Sequence, residues 1–340
     1  MVLPQTVLLC HTFQTVLAGT PYVVSLLPRG DCHACCETLE DDVQFYQHLR
    51  TGESLRARVA PAGALDPRLP TVVYVHGFGD HAPGPSATTL RTAYFTAGWN
   101  VNFVTMDWGP LAAFPWYANA VANSRAAGAR LAHFLEGLFR DGVDPWNTHV
   151  LGFSLGAEVA GFAGKNLTQQ GRRLGRITGL DPAFPLFRWT RKEGHLSTGD
   201  ADFVDVIHTD SGVYGVAFPI GDVDFYPNGG RPRQPGCSAS ELRAKGQFPQ
   251  DFVSCSHSRA WLYYAESVLH PQAFPALRCR SEARFRSGKC RDQVKAEIHA
   301  RAERAYRSRA ANATAGVPAE EREPTAFFAY MGLWARSGGS

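Results

Sequence analysis

The stretch Val150-Leu-Gly-Phe-Ser-Leu-Gly-Ala157 constrains the fold of this chain more than any other. It reads as strand, sharp turn and helix, with Ser154 on the turn between Gly152 and Gly156. A serine on so tight a bend occupies a strained backbone region. Only small residues at 152 and 156 let the strand and the following helix pass close by. The bend lifts the hydroxyl clear of the sheet and aims the Leu155 N–H, at the helix N-terminus, at the same point. Glycine and serine are common in ordinary turns. Here Thr148 to Phe153 is β-type and Leu155 to Asn166 is a helix of small residues, so Ser154 is read as a nucleophile rather than a plain turn residue.

The flanking chain repeats an α/β rhythm. Strands are expected over Thr71 to His76, Asn100 to Asp107, 148–153, Arg176 to Asp181 and Phe203 to His208. A helix is expected between Ala118 and Arg140, where Leu131, Phe134, Leu135 and Leu138 recur at helical spacing. Strands alternating with helices predict a mostly parallel sheet covered on both faces, an α/β class. Residues 43–59 read as an edge hairpin.

A serine nucleophile needs a base for its proton, and the base needs an acid that fixes its tautomer. In the α/β-hydrolase order the acid follows the serine and the histidine comes last. Asp181 ends a strand that Pro182 stops, which makes it the candidate acid; Asp205 and Asp210 read as backbone or arginine partners. For the base, His257 in Ser254-Cys-Ser-His-Ser-Arg259 is taken, with a helix over Ala260 to Val268 behind it and His208 as the rival. Two N–H donors must face the oxyanion, worth about 3 kcal/mol each. Leu155 supplies one and Phe78, after the strand ending in His76, the other.

The 340 residues suffice for one large α/β domain or two modest ones, and a net charge of +3 gives no reason to expect nucleic acid. The eight cysteines form no zinc-spaced pair of C-x-x-C motifs. Cys237, Cys255, Cys279 and Cys290 fall into two close pairs bracketing loops, which suits disulfides and an oxidising compartment. The sequons at Asn166 and Asn312 agree with export, and both are candidate glycosylation sites. Val2 to Ala18 is mostly apolar but lacks a basic start; it is read as a signal peptide, the alternative being an apolar N-terminal arm. No later run is long and apolar enough to span a bilayer. Residues 278–309 hold eleven Lys or Arg against four acidic residues, read as a solvated face, the alternative being attraction to anionic lipid.

Seven segments together resemble the pancreatic-lipase-like secreted lipases, a family that includes phospholipases A1. They are Val75-His-Gly-Phe78, Asn100 through Trp108, Gly152-Phe-Ser-Leu-Gly156, Gly179-Leu-Asp-Pro-Ala-Phe-Pro185, Asp202 through Asp210, Asp224 through Gly230, and Cys255-Ser-His-Ser-Arg259. The resemblance implies an α/β-hydrolase fold, with nucleophile, acid and base on Ser154, Asp181 and His257 and oxyanion donors on Phe78 and Leu155. It also implies a Cys237–Cys255 disulfide bounding a lid at 238–254, and a Cys279–Cys290 bridge. In the family, short lids and short loops equivalent to 211–223 go with phospholipase A1 activity. The loop here is short and the lid intermediate, so the expectation leans to phospholipase A1. Triacylglycerol or galactolipid hydrolysis is the alternative, and a non-catalytic, yolk-like lipid-binding protein a further one.

Two departures from the family pattern stand out. Glu158 replaces the usual histidine, and Ser197 replaces an acidic ligand of the calcium loop matched by Asp200, so no metal and no cofactor is expected. The expected organisation is a signal peptide and arm over 1–28, a hydrolase domain over 29–300, and an extension over 301–340 without a lipid-binding β-sandwich. The expected partner is a lipid substrate at a membrane, micelle or lipoprotein surface, outside the cell.

Overall fold

A computed structural model describes residues 14–16, 22–26, 28–30, 42–56, 65–187, 191–247, 252–290 and 328–331. Cys10, Cys32, Cys35, Cys36, Asn312 and the basic run 291–309 lie outside the described residues, as does most of the expected signal segment.

The central feature is an eight-stranded sheet built on the apolar runs of the sequence. Its strands are β3 (Gln44–His48), β4 (Ser54–Arg56), β5 (Thr71–Val75), β6 (Asn102–Asp107), β7 (Thr148–Phe153), β8 (Arg176–Leu180), β9 (Phe203–Ile207) and β10 (Val223–Phe225). They lie in the order β10-β9-β8-β7-β5-β6-β3-β4. β5 to β10 are parallel, while β3 pairs antiparallel with β6 and β4 along one edge, where the hairpin was expected. Two small antiparallel pairs complete the β-structure: β1 (Gln14–Val16) with β2 (Val23–Ser25), and β11 (Pro275–Leu277) with β12 (Phe328–Tyr330).

Continuous apolar runs are what a parallel strand covered on both faces requires. Val73, Val75, Val104, Met106 and Val150 point to one layer, which holds α2 (Tyr117–Arg140) and α3 (Leu155–Gln169). Val72, Tyr74, Phe103 and Leu151 point to the other, packed on α1 (Pro85–Thr96) and α5 (Cys255–Leu269). Fully burying one such side chain contributes about 1.5–3 kcal/mol, so these two layers dominate the stability. The short helices α4 (Ala239–Ala244) and α6 (Glu282–Arg286) lie outside this frame. No helix among the described residues is long and apolar enough to cross a membrane.

The strand order places the functional crevice. From β5 the chain crosses to β6 on one side and returns to β7 on the other. The loops leaving the carboxyl ends of β5 and β7 therefore part at that switch, where open α/β sheets bind their ligands. Phe78 follows β5 and Ser154 follows β7.

Candidate active site

Ser154 stands between β7 and α3 with φ 55° and ψ −122°, the strained bend expected from its glycines. A β-carbon on Gly152 would lie 2.3 Å from the Gly156 carbonyl oxygen, and one on Gly156 would lie 2.2 Å from that of Val75. The bend thus packs directly on the end of β5, and no larger residue fits. A non-glycine residue in such a region costs about 1–3 kcal/mol and persists only where neighbours hold it. Here the Ser154 N–H donates to Leu180 O at 3.0 Å, and Ser154 O accepts from the Ala157 N–H at 3.0 Å.

Asp181 follows β8, the strand adjoining β7, and is fully buried. Its N–H donates to Ile207 O at 2.8 Å. One carboxylate oxygen, Oδ1, accepts the Thr209 and Asp210 N–H groups at 2.8 and 3.1 Å. The other, Oδ2, meets His257 Nδ1 at 2.6 Å. A carboxylate there calls for a proton on Nδ1, which leaves Nε2 with its lone pair. The imidazole is packed against the Phe153 ring at 4.7 Å and the Tyr214 ring at 5.5 Å, so it sits beside the Ser154 bend.

His257 was expected on a loop backed by a helix beginning at Ala260. The helix instead begins at Cys255, and His257 stands in its first turn. The Cys237–Cys255 disulfide, with Cα atoms 5.6 Å apart, ties this first helical residue to the segment before α4. The second bridge, Cys279–Cys290, is also formed. The lid segment 238–254 carries α4, whose first turn is closed by a reciprocal capping box between Ser238 and Glu241; residues 248–251 of that segment lie outside the described residues.

Leu155 is the first residue of α3, so its N–H has no intrahelical partner. On the opposing loop, Gly77 lies so close that a β-carbon there would be 2.9 Å from Ser154 Cβ. His76 Nδ1 is hydrogen-bonded to Gly77 O at 2.9 Å, which fixes the peptide plane carrying the Phe78 N–H. The Phe78 ring packs on Phe114 at 4.4 Å and edge-on to Tyr117 at 5.1 Å. Ser154, Asp181, His257, Phe78 and Leu155 therefore converge at one end of the sheet.

The rivals do other work. His208 is buried, bonded through Nδ1 to Val216 O at 2.9 Å and through Nε2 to Asp224 at 2.8 Å. Asp205, which is buried, pairs with the half-buried Arg176 through two hydrogen bonds of 2.8 and 2.9 Å. Asp210 accepts the Tyr214 N–H at 3.2 Å, as a turn aspartate should. It also lies in the site: an atom each of Asp181, Asp210 and His257 fall within 4.8 Å of one another. Burial, and then the Asp181 charge, push the Asp210 carboxyl up, against the pull of the Tyr214 N–H and His257. Its turn-forming sequence gave no sign of this second position.

At the calcium-loop position, Lys165 reaches from α3 and donates to His195 O at 2.8 Å, Ser197 Oγ at 3.2 Å and Asp200 Oδ2 at 2.5 Å. An ammonium group thus fills the place among these oxygens. Burial still lifts the Asp200 carboxyl to about 6, against the Lys165 charge. Glu158 is buried in α3, its Oε2 accepting the Leu196 N–H at 2.6 Å, and burial raises its carboxyl to about 8. Asn166 also lies on α3, its amide donating to Phe162 O at 2.8 Å.

The sequence matches the family described as Lipase over residues 44–309. It is 41% identical over 229 residues to pancreatic lipase-related protein 2 of Bos taurus, a match covering 64% of this chain and 48% of that one. It is 36% identical over 231 residues to the pancreatic triacylglycerol lipase of Oryctolagus cuniculus, again covering 64% and 48%. The chain thus spans about half the length of the curated relatives it matches. Among solved structures, a phospholipase/carboxylesterase from Dyadobacter fermentans is a distant likeness, 14% identical with a TM-score of 0.36 over 56% of this chain and 92% of that one; it carries no weight here. With its Lipase match running from β3 past the second disulfide, this chain belongs to the lipase family, on its pancreatic-lipase-like side.

Proposed function

We propose that the protein is a secreted serine carboxylester hydrolase that releases fatty acid from lipid esters. The 2.6 Å contact of His257 Nδ1 with Asp181, beside a serine held at φ 55°, carries this reading. Ser154 Oγ attacks the ester carbonyl as His257 Nε2 takes its proton. The carbonyl oxygen becomes an oxyanion, accepting from the Phe78 and Leu155 N–H groups. The imidazolium, steadied by Asp181, gives its proton to the leaving alkoxide and an acyl-enzyme remains. Water then loses a proton to His257, attacks the acyl carbon and frees the fatty acid, returning the proton to Ser154. No cofactor enters any step. The two disulfides among the described residues suit an oxidising, extracellular setting.

For the substrate, the short 211–223 loop supports phospholipase A1 activity. It folds back tightly, with Gly212 N–H donating to Gly215 O at 2.7 Å. A second reading, triacylglycerol hydrolysis, is supported by the name of the rabbit relative. Fatty-acid release from phosphatidylcholine and from triolein, measured side by side, separates them. Release from phosphatidylcholine alone supports the first reading and release from triolein the second. Release from neither favours a non-catalytic lipid-binding protein.

A further inference from the structure

Strand β2 pairs with β1 outside the central sheet, and the backbone N–H and C=O groups of Val23 and Ser25 are committed to the loops around Phe78. The Val23 N–H donates to Gly79 O at 2.8 Å, and Val23 O accepts the Phe114 N–H at 2.9 Å. The Ser25 N–H donates to Phe114 O at 2.9 Å, and Ser25 O accepts the Trp116 indole N–H at 3.0 Å. Residues 23 and 25 thus face these loops. The Tyr22 ring meets Phe114 edge-on at 5.5 Å, and Phe114 in turn covers Phe78.

Around Phe78 three consecutive peptides are each held. His76 grips the carbonyl of the first, the one that presents the Phe78 N–H. The Gly79 N–H of the second donates to Ala112 O at 2.7 Å. The third, through Gly79 O, is held by the Val23 N–H of β2. An oxyanion donor is useful to the extent that its orientation is set before the charge forms, because no reorganisation is then needed in the transition state.

We infer that β2 is a positioning strap for the oxyanion hole, with the Val23 N–H its key contact and Ser25 with Trp116 its second anchor. The inference rests on the hydrolase reading above. Losing an oxyanion donor outright lowers kcat by about 10²–10³-fold, and loosening one anchor of its loop is expected to lower it by about tenfold.

The test compares Val23→Pro, which deletes the N–H that faces the Gly79 loop, with Val23→Ala, which keeps it. Trp116→Phe loosens the second anchor. Turnover of a soluble short-chain p-nitrophenyl ester is divided by the active sites titrated with an organophosphonate. Affinity for an alkyl boronic acid, which mimics the tetrahedral intermediate, is measured alongside. Val23→Pro is expected to lose about tenfold in kcat per titrated site and a similar factor in boronic-acid affinity, with KM within about twofold. Val23→Ala should match the parent, and Trp116→Phe should fall in the same direction by less. A strap that is only structural would reduce the number of titratable sites and leave kcat per site unchanged; that result overturns the inference. If Val23→Pro yields no folded protein, an unchanged kcat per site in Trp116→Phe overturns it instead. A parent without Ser154-dependent turnover refutes the hydrolase reading itself, and is seen before any strap variant is compared.

Discussion

Gly215 packs against Asp181 so closely that a β-carbon at 215 would lie 2.2 Å from Oδ1. The 211–223 loop brings it there: Val216 N–H donates to Pro182 O at 2.9 Å and Gly215 N–H to Asp210 O at 3.1 Å. The loop proposed to bear on substrate choice therefore also walls in the acid. Gly215→Ala should push the carboxylate off His257 Nδ1 and lower kcat by about 10–100-fold, since a 1 Å misplacement can cost that much. Steady-state kinetics with sites titrated checks this, and unchanged kcat would show that Asp181 does not need its present position.

The Cys237–Cys255 bridge closes a separation of 18 residues and opens the helix that carries His257. Replacing both cysteines by serine should lower unfolding free energy by about 2–4 kcal/mol. Denaturant melts measure that loss. A non-reduced peptide map of the parent should show the 237 and 255 peptides linked, and free thiols at both would remove the basis of this prediction.

Glu158 predicts a pH dependence of stability. Its carboxyl is raised from 4.5 to about 8 by burial, so between those values the folded state holds a proton that the unfolded chain has released. Stability from this group is therefore fully present below pH 4.5 and is lost as pH rises towards 8. Asp200, raised from 3.8 to about 6, acts with the same sign over a lower window and remains in the variant. Glu158→Gln keeps an acceptor for the Leu196 N–H and never ionises. It should match the parent near pH 4.5 and be more stable by about 5 kcal/mol at pH 8.5. Unfolding at the two pH values reads the difference; a constant offset would mean that Glu158 is already ionised in the fold.

Much of this molecule is legible in the sequence because its central strands are buried on both faces. Thr71–Val75 and Thr148–Phe153 are built on the short apolar runs 72–75 and 150–153, and the structure keeps their expected bounds nearly unchanged. The serine bend was readable because the packing at 152 and 156 admits no alternative to small residues. The start of α5 was not. Cys-Ser-His-Ser carries no apolar period, and its first residue is tied by a disulfide to residue 237, far back in the chain. Lys165 and Asp210 escaped for a related reason: both are polar residues on ordinary elements, brought to their partners by tertiary packing. The strap residues Val23 and Ser25 were masked by their apolar neighbours, which suggest a signal sequence or arm and reveal nothing about where the backbone hydrogen bonds go.

The most direct test of the account is covalent labelling of the protein with an active-site organophosphonate, followed by mapping of the adduct. The account predicts one adduct per chain, on Ser154, absent from a folded Ser154→Ala variant that also releases no fatty acid. An adduct on another residue, or labelling that persists in Ser154→Ala, would contradict it.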